Sequence, residues 1–297
     1  MTTDSFHISV IGARHIQEGL PCQDYAASIC EGDVAVAIAC DGHGADMFFR
    51  SDIGAKLAAQ AALEGIKDFM SKVDRSSLIG KPYAAFNLSE GTEKNGAVPE
   101  MVQRFRPLFV AIHGSWVKKV SQHISANPFT EEELRRVPEV YLPYYDNVAV
   151  AASAYGTTLI AYAQCKDFWL AFQIGDGKMI VFQDDNCCLP IPDDAQCRDN
   201  LTTSLCDPHA VDEFRFCVDG SGAFPSAVFV CTDGMEKCFL SEESLGEYLY
   251  KMSRVLELGS KDVLIGQMED LLPKFSKITS GDDISIACVY NLSKKMM

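Results

Sequence analysis

The chain has 297 residues, 47% of them hydrophobic, and a formal net charge of −15 at pH 7. That charge disfavours binding to nucleic acid or to anionic membranes, because both depend on cationic patches. No apolar run approaches the roughly 20 residues of a membrane-spanning helix. We therefore expect a globular chain with a sizeable core, organised as one domain over residues 1–297.

The cysteines indicate a reducing environment. Twelve are present, and their spacing includes no C-x-x-C pair. The opening sequence MTTDSFHISV lacks the basic and then apolar stretches of a secretory signal. We expect a cytoplasmic location, where thiols stay reduced, and interpret most of the cysteines as small core residues.

A predicted β-hairpin carries the first two carboxylates of interest. Apolar strands at residues 25–30 and 34–40 are separated by residues 31–33, Glu-Gly-Asp, which are typical of a tight turn. Asp24 stands just before the first of these strands, and Asp41 stands just after the second. Because the two strands of a hairpin run antiparallel, both carboxylates can approach one site.

The sequence Asp41-Gly42-His43-Gly44 ends the second apolar strand abruptly. Two glycines around a histidine let the backbone turn sharply and bring a carbonyl close to a ligand, while the aspartate directs its oxygens outward. This arrangement suits a hard cation. The same four residues also fit an ordinary turn with a solvated aspartate, and the tetrapeptide alone does not decide between the two.

Amphipathic helices and further strands are predicted for the rest of the chain. Asp46 is the predicted N-cap of a helix that continues to residue 69, and Pro99 begins a second helix that continues to residue 124. Residues 72–98 and 184–212 are polar and are predicted to be surface loops. Strands are predicted at 6–13, 157–163, 168–174, 178–183, 226–232 and 284–290, and two more helices at 241–258 and 261–277.

Three more aspartates stand next to glycines at the ends of these strands. Asp176 lies between two glycines after the 168–174 strand. Asp233 follows the 226–232 strand, and Asp282 precedes the last one. Together with Asp24 and Asp41, these positions form a series of carboxylates at strand ends.

In chain order, these motifs resemble those of the metal-dependent serine/threonine protein phosphatases, the protein phosphatase 2C family. They are QD at 23–24, DGHG at 41–44, GTT at 156–158, GDG at 175–177, TDG at 232–234 and GDD at 281–283. Each motif is weak alone, but six in the family's order, with its strands and helices between them, span almost the whole chain. The sequences TTSL at 202–205 and GARHIQEGLPCQD at 12–24 look more like the bacterial branch of the family.

The resemblance implies an α+β fold, a four-layer αββα sandwich in which helices flank two antiparallel β-sheets. It also implies a cleft that holds two Mn²⁺ or Mg²⁺ ions, with Asp24, Asp41, the Gly42 carbonyl, Asp233 and Asp282 as ligands. Oxygen donors of this kind suit Mg²⁺ or Mn²⁺ better than Zn²⁺. Two such ions about 3.5–4 Å apart can share a water, supply hydroxide near neutral pH and offset the charge of a phosphoryl group.

The implied reaction is hydrolysis of phosphoserine and phosphothreonine in proteins. A phosphorylated protein would be the substrate, and a cognate serine/threonine kinase would be the opposing enzyme. His43 would lie beside the ions and protonate the leaving seryl or threonyl oxygen, a general-acid role usually worth about 10² to 10⁴ in rate. Bacterial relatives bind a third metal ion, for which Asp176 is the implied ligand in this chain.

Three positions depart from the family pattern. Gln23 replaces a common glutamate but can still bond the water of a metal ion. Gly19 stands where many relatives have an arginine that clamps substrate phosphate. We predict that Arg14, with its bidentate geometry, or His15 partly replaces that arginine. Lys237 stands where the third-metal site of bacterial relatives has an acid. The sequence therefore does not decide whether a third metal ion binds.

Three alternatives stay open at this point. The chain could be a pseudophosphatase, a binding or regulatory module that keeps the fold without the chemistry, although its carboxylates are intact. It could be a redox or zinc protein built on the twelve cysteines, although these lack paired spacing. Arg14 and His15 could also be a solvated residue and a packed residue without a role at the substrate.

Overall fold

Two antiparallel β-sheets form the centre of the structure, a computed structural model that describes residues 2–88, 99–145, 151–183, 186–198 and 201–292. In spatial order, the first sheet contains β1 (Thr2–Val10), β11 (Ile284–Leu292), β10 (Ala227–Cys231), β7 (Lys178–Gln183) and β8 (Asn186–Cys188). The second sheet contains β2 (Tyr25–Glu31), β3 (Val34–Cys40), β5 (Leu159–Gln164), β6 (Trp169–Ile174), β9 (Arg215–Asp219) and β4 (Ala84–Asn87).

Long helices cover the outer face of each sheet. The helices in the described ranges are α1 (Ala13–Glu18), α2 (Ser51–Lys72), α3 (Glu100–Ala126), α4 (Glu131–Leu134), α5 (Leu142–Tyr145), α6 (Asp233–Glu236), α7 (Glu242–Glu257) and α8 (Lys261–Ile278). Buried residues of α2 and α3 share a core with the second sheet, and those of α7 and α8 share a core with the first. A third core lies between the sheets. The predicted four-layer αββα sandwich is therefore confirmed.

The alternation of residue size along β3 explains how this strand is buried on both faces. Val36, Ile38 and Cys40 belong to the core under α2 and α3, whereas the alanines at 35, 37 and 39 face the other sheet. Successive side chains of a strand point to opposite faces. The larger side chains thus fill the space under the helices, and the small ones let the two sheets approach each other.

The pairing of β2 with β3 fixes the start of the candidate site. Glu31 pairs with Val34 across a two-residue turn, and Tyr25 pairs with Cys40 at the other end. Gly32 in the turn has a φ of 63°, which favours glycine. Since Asp24 precedes Tyr25 and Asp41 follows Cys40, the register brings the two carboxylates to the same end of the sheet.

Several predicted element boundaries are wrong. Asp46 begins a single 3-10 turn, and α2 begins only at Ser51. The N–H of Arg50 donates to the carbonyl of Ala154, which turns the chain before the helix can start. Residues 13–18 form α1, a helix not predicted from the sequence, whereas Pro99 does precede α3 as predicted.

Both stretches predicted as surface loops contain strands. β4 lies within residues 72–98 and pairs with β9, where Phe86 stacks on Phe216 at 5.0 Å between ring centroids. β8 lies within residues 184–212 and pairs with β7. Residues 89–98, 184–185 and 199–200 of these predicted loops lie outside the described residues. Among the described helices, none is long and apolar enough to cross a membrane.

Candidate active site

A cavity of about 520 Å³ opens where the strands that carry the motifs end. The structure brings together at this cavity every residue that the sequence predicts for the site. These are Arg14, His15, Asp24, Asp41, Gly42, His43, Asp176, Asp233 and Asp282. The five aspartates arrive from loops that are far apart in the chain, so the fold itself gathers them.

The Gly-Thr-Thr sequence at 156–158 holds the loop that carries Asp41. The Asp41 N–H donates to Thr158 Oγ1 at 3.0 Å, and the Asp41 carbonyl accepts from the Thr158 N–H at 2.8 Å. The Thr157 hydroxyl donates to the same carbonyl at 2.9 Å. These bonds extend the pairing of β3 with β5 beyond Cys40, as far as a bridge between Gly42 and Thr157. The two threonines therefore support the site through the backbone.

A side chain at position 42 would collide with the backbone of neighbouring segments. A Cβ atom at this position would lie 2.5 Å from the Gln23 carbonyl oxygen and 2.8 Å from the Ser51 carbonyl oxygen. A Cβ atom does not approach an oxygen this closely, so the loop after Asp41 can pass between these two segments only as glycine. The predicted role of the Gly42 carbonyl as a ligand stays a prediction.

Thr232 orients Asp24. Its hydroxyl donates to Asp24 Oδ2 at 2.6 Å and accepts from the Ser285 N–H at 3.0 Å. Asp24 is only 6% exposed. The threonine of the TDG motif therefore fixes the direction of a carboxylate that lies more than two hundred residues away in the chain.

Asp283 is a functional residue that the motif analysis does not single out. Oδ1 accepts from the Gly12 N–H at 2.6 Å, and Oδ2 accepts from the Gln23 N–H at 2.6 Å. His15 Nδ1 lies 2.9 Å from the same Oδ2. Burial opposes ionisation of Asp283, but these hydrogen bonds, led by that of His15, bring its pKa below the ordinary value. This carboxylate joins the α1 segment to the start of β2.

Burial and repulsion between carboxylates destabilise the ionised forms of three aspartates in the cavity. Burial raises the pKa of Asp24, Asp41 and Asp233, and their neighbouring carboxylates raise it further. Gln23, itself 9% exposed, has a buried Oε1 without a hydrogen-bond partner among the described residues. An acceptor left in this state fits the water shell of a cation. The donor types therefore fit a hard divalent ion.

Protein cations neutralise part of this charge. Lys237 Nζ lies 2.6 Å from Asp233 Oδ2 and 2.8 Å from Asp282 Oδ2. Arg14 approaches Asp282 Oδ1 at 3.6 Å. Across the described ranges, no three His, Cys, Asp or Glu side chains converge as a ready-made metal cluster. The donors thus share one cavity, but two of them are bonded to protein cations.

His43 packs at the edge of the cavity. Its Nε2 lies 2.7 Å from Ser204 Oγ, and its ring meets Phe48 edge to face at 4.8 Å between centroids. The His43 N–H donates to the Gly156 carbonyl at 3.1 Å. Burial lowers the pKa of His43 to about 4, so its imidazole is neutral at neutral pH.

The three positions relevant to a phosphate clamp, Gly19, Arg14 and His15, differ in their location relative to the cavity. Gly19, at the end of α1, has a φ of 70° and is exposed outside the cavity, so an arginine there would be strained and remote. Arg14 lines the cavity with a side chain that is 51% exposed. His15 is buried with Nδ1 bonded to Asp283, which leaves Nε2 as its ring atom for a ligand.

Several solved structures, among them serine/threonine phosphatases, are similar to this chain in fold. PppA of Pseudomonas aeruginosa has a TM-score of 0.53 at 15% identity, covering 98% of each chain. The catalytic domain of the serine/threonine phosphatase PstP, in complex with two manganese ions, has a TM-score of 0.52 at 11% identity, covering 98% of this chain and 99% of that one. Mycobacterium tuberculosis PstP/Ppp has a TM-score of 0.52 at 10% identity, covering 99% and 100%. The fold is thus that of a class of serine/threonine phosphatases.

The family follows from the sequence. The family model of protein phosphatase 2C matches residues 11–272. This match covers most of the chain, which therefore belongs to the protein phosphatase 2C family, a family of protein phosphatases. Comparison with curated protein sequences finds no significant match.

The neighbouring aspartates at 282 and 283 provide a matched test of this description. Asp283→Asn should destabilise the fold by about 2–4 kcal/mol, because the amide places a donor where three N–H groups donate to a buried carboxylate. Asp282→Asn should change stability by less than about 1 kcal/mol, since its ion pairs are partly exposed. Urea denaturation of both variants in the presence of chelator measures the difference, and equal losses would contradict the support role of Asp283.

Proposed function

We propose that this chain hydrolyses phosphoserine and phosphothreonine in proteins with two Mn²⁺ or Mg²⁺ ions, held by Asp24, Asp41, the Gly42 carbonyl, Asp233 and Asp282. The observation that carries the proposal is the gathering of these oxygen donors in one cavity, where burial and repulsion raise the pKa of three of the carboxylates. When bound, the ions supply a nucleophile from water and neutralise phosphoryl charge.

The chain's own residues hold these donors and handle the substrate. Thr232 fixes the Asp24 carboxylate, so this side chain does not have to be ordered when a ligand binds, and Thr158 fixes the backbone of Asp41. We assign to Arg14 the role of orienting substrate phosphate, because its guanidinium is exposed at the cavity and can donate two parallel hydrogen bonds. His15 can add a donor through Nε2.

His43 is the proposed general acid. It lines the same cavity as Asp41, two residues further along the chain. Since the resting imidazole is neutral, the proton that it delivers has to arrive with the substrate phosphate or from solvent. Ser204 holds Nε2 at 2.7 Å and thereby sets the orientation of the ring.

The environment and partners follow from the same proposal. A phosphorylated protein is the substrate, and a serine/threonine kinase is the enzyme that produces it. We propose a reducing compartment, the cytoplasm, since all twelve cysteines lie within the described residues and all are free. Burial raises the pKa of the Cys40, Cys231 and Cys288 thiols, which disfavours a redox or zinc role for them.

One observation favours a second candidate, a pseudophosphatase that acts as a binding or regulatory module. Lys237 and Arg14 already neutralise Asp233 and Asp282 without a divalent ion. A metal titration separates the two candidates, because a binding module of this kind would take up no Mn²⁺. The number of ions bound in the same titration also tests the predicted role of Asp176 at a third site.

Phosphate release should require a divalent metal. The cavity has no assigned protein nucleophile, so release from phosphoserine and phosphothreonine peptides should need Mn²⁺ or Mg²⁺ and stop in excess chelator. Asp41→Asn and Asp233→Asn should lose activity by at least about 10²-fold while the circular dichroism spectrum is retained. Full activity in excess chelator would rule out the mechanism.

The loss of kcat in His43→Ala should depend on the basicity of the leaving group. Phosphopeptides release a basic alkoxide that needs a proton, so their kcat should fall by about 10² to 10⁴. Aryl phosphates release a weakly basic phenolate, and their kcat should fall much less. Steady-state kinetics on both substrates, with Mn²⁺ affinity as a control, measures the ratio, and equal losses would count against the acid role.

Arg14→Ala should raise the KM for phosphopeptide several-fold with little change in Mn²⁺ affinity. Arg254→Ala is a matched control, because Arg254 is about equally exposed but pairs with Glu257 on α7. His15→Ala is a poor test, since it would also leave Asp283 without its imidazole partner. An unchanged KM in Arg14→Ala would show that phosphate is held without this side chain.

A further inference from the structure

Lys237 joins two of the proposed metal ligands. Its ammonium lies 2.6 Å from Asp233 Oδ2 and 2.8 Å from Asp282 Oδ2. Asp233 begins α6 and lies one turn before Lys237, whereas Asp282 lies 45 residues beyond Lys237 in the loop before β11. A single cation therefore spans the gap between two separate elements.

The contact of Lys237 with these two carboxylates differs from an ordinary surface ion pair, because the carboxylates are partly buried among other aspartates. The Asp233 and Asp282 side chains are only 21% and 23% exposed, and other aspartates line the same cavity. Arg14 faces the second oxygen of Asp282. In a partly buried site of like charges, a cation between two carboxylates relieves repulsion that solvent screens only in part.

We infer that Lys237 occupies a cation position between Asp233 and Asp282 and is exchanged for a divalent ion when the metal site loads. The inference rests on the proposed function, because it takes these two aspartates to be metal ligands. The same oxygens cannot contact both an ammonium and a divalent ion at bonding distance without strong repulsion between the two cations. In the metal-free chain, Lys237 stabilises the fold because its ammonium neutralises the two carboxylates. It weakens metal binding because it competes with the ion for the same oxygens.

Isothermal titration of the chelator-stripped full chain with Mn²⁺ tests the exchange. Lys237→Met and Lys237→Gln both remove the ammonium while keeping a long side chain. Lys178→Met is a matched control, because Lys178 also contacts two carboxylates, Glu242 at 2.6 Å and Glu236 at 3.4 Å, that are not proposed ligands.

Both Lys237 variants should bind Mn²⁺ about 3- to 10-fold more tightly than the unaltered chain, with the same number of ions, while Lys178→Met should keep the original affinity. Thermal unfolding gives a second readout that does not depend on catalysis. The Lys237 variants should have a lower Tm in chelator, since the carboxylates lose their counter-ion, and should gain more in Tm when Mn²⁺ is added.

Unchanged or weaker Mn²⁺ affinity in both Lys237 variants would overturn the exchange and leave the proposed function intact. An additional ion bound by the variants would also overturn it, because Lys237 would then fill a site that the unaltered chain never loads. Absence of Mn²⁺ binding in every protein would overturn the exchange and the proposed function together.

Discussion

The site depends on the repulsion among aspartates that the fold forces into one cavity. Burial disfavours the ionised forms of Asp24, Asp41 and Asp233, and neighbouring carboxylates make their ionisation harder still. Other features of the site respond to this constraint. Lys237 and Arg14 neutralise Asp282, and the Thr232 hydroxyl stabilises one oxygen of Asp24. Gln23 lines the same cavity and has a buried Oε1 without a partner among the described residues. Bound divalent cations would neutralise the aspartates, and water in their coordination shell would supply a donor for Gln23 Oε1.

The central layers could be predicted from the sequence because their pattern is local. β3 alternates large and small apolar residues, the β2–β3 turn carries a glycine, and both features directly determine the strands and their register. β4 and β9 could not be predicted, since β4 has only four residues and is stabilised by a partner 128 or more positions later. Such strands depend on long-range pairing that no local pattern records.

The residues of the candidate site also fall into two groups, those that a local sequence pattern predicts and those that it does not. The aspartates could be predicted because they stand at the ends of apolar strands, four of them next to glycines, and the structure gathers all five at one cavity. Asp283, Ser204 and the threonines at 157 and 158 act through bonds to residues far away in the chain, so their roles become visible only after folding. The sequence shows Lys237 only as a departure from an acidic position, whereas its contacts in the structure make it a counter-ion.

The proposed chemistry depends above all on Asp24, Asp41, Asp233 and Asp282 as ligands of divalent ions. Crystals soaked in Mn²⁺ and measured at the manganese absorption edge test this assignment directly, because anomalous scattering locates the metal without reference to activity. We expect two strong peaks within about 2.0–2.3 Å of these carboxylates, a distance typical of hard divalent ions with oxygen ligands, and the Lys237 ammonium withdrawn from Asp233 and Asp282. A cavity without anomalous peaks at saturating Mn²⁺, with Lys237 still bonded to both aspartates, would contradict this assignment.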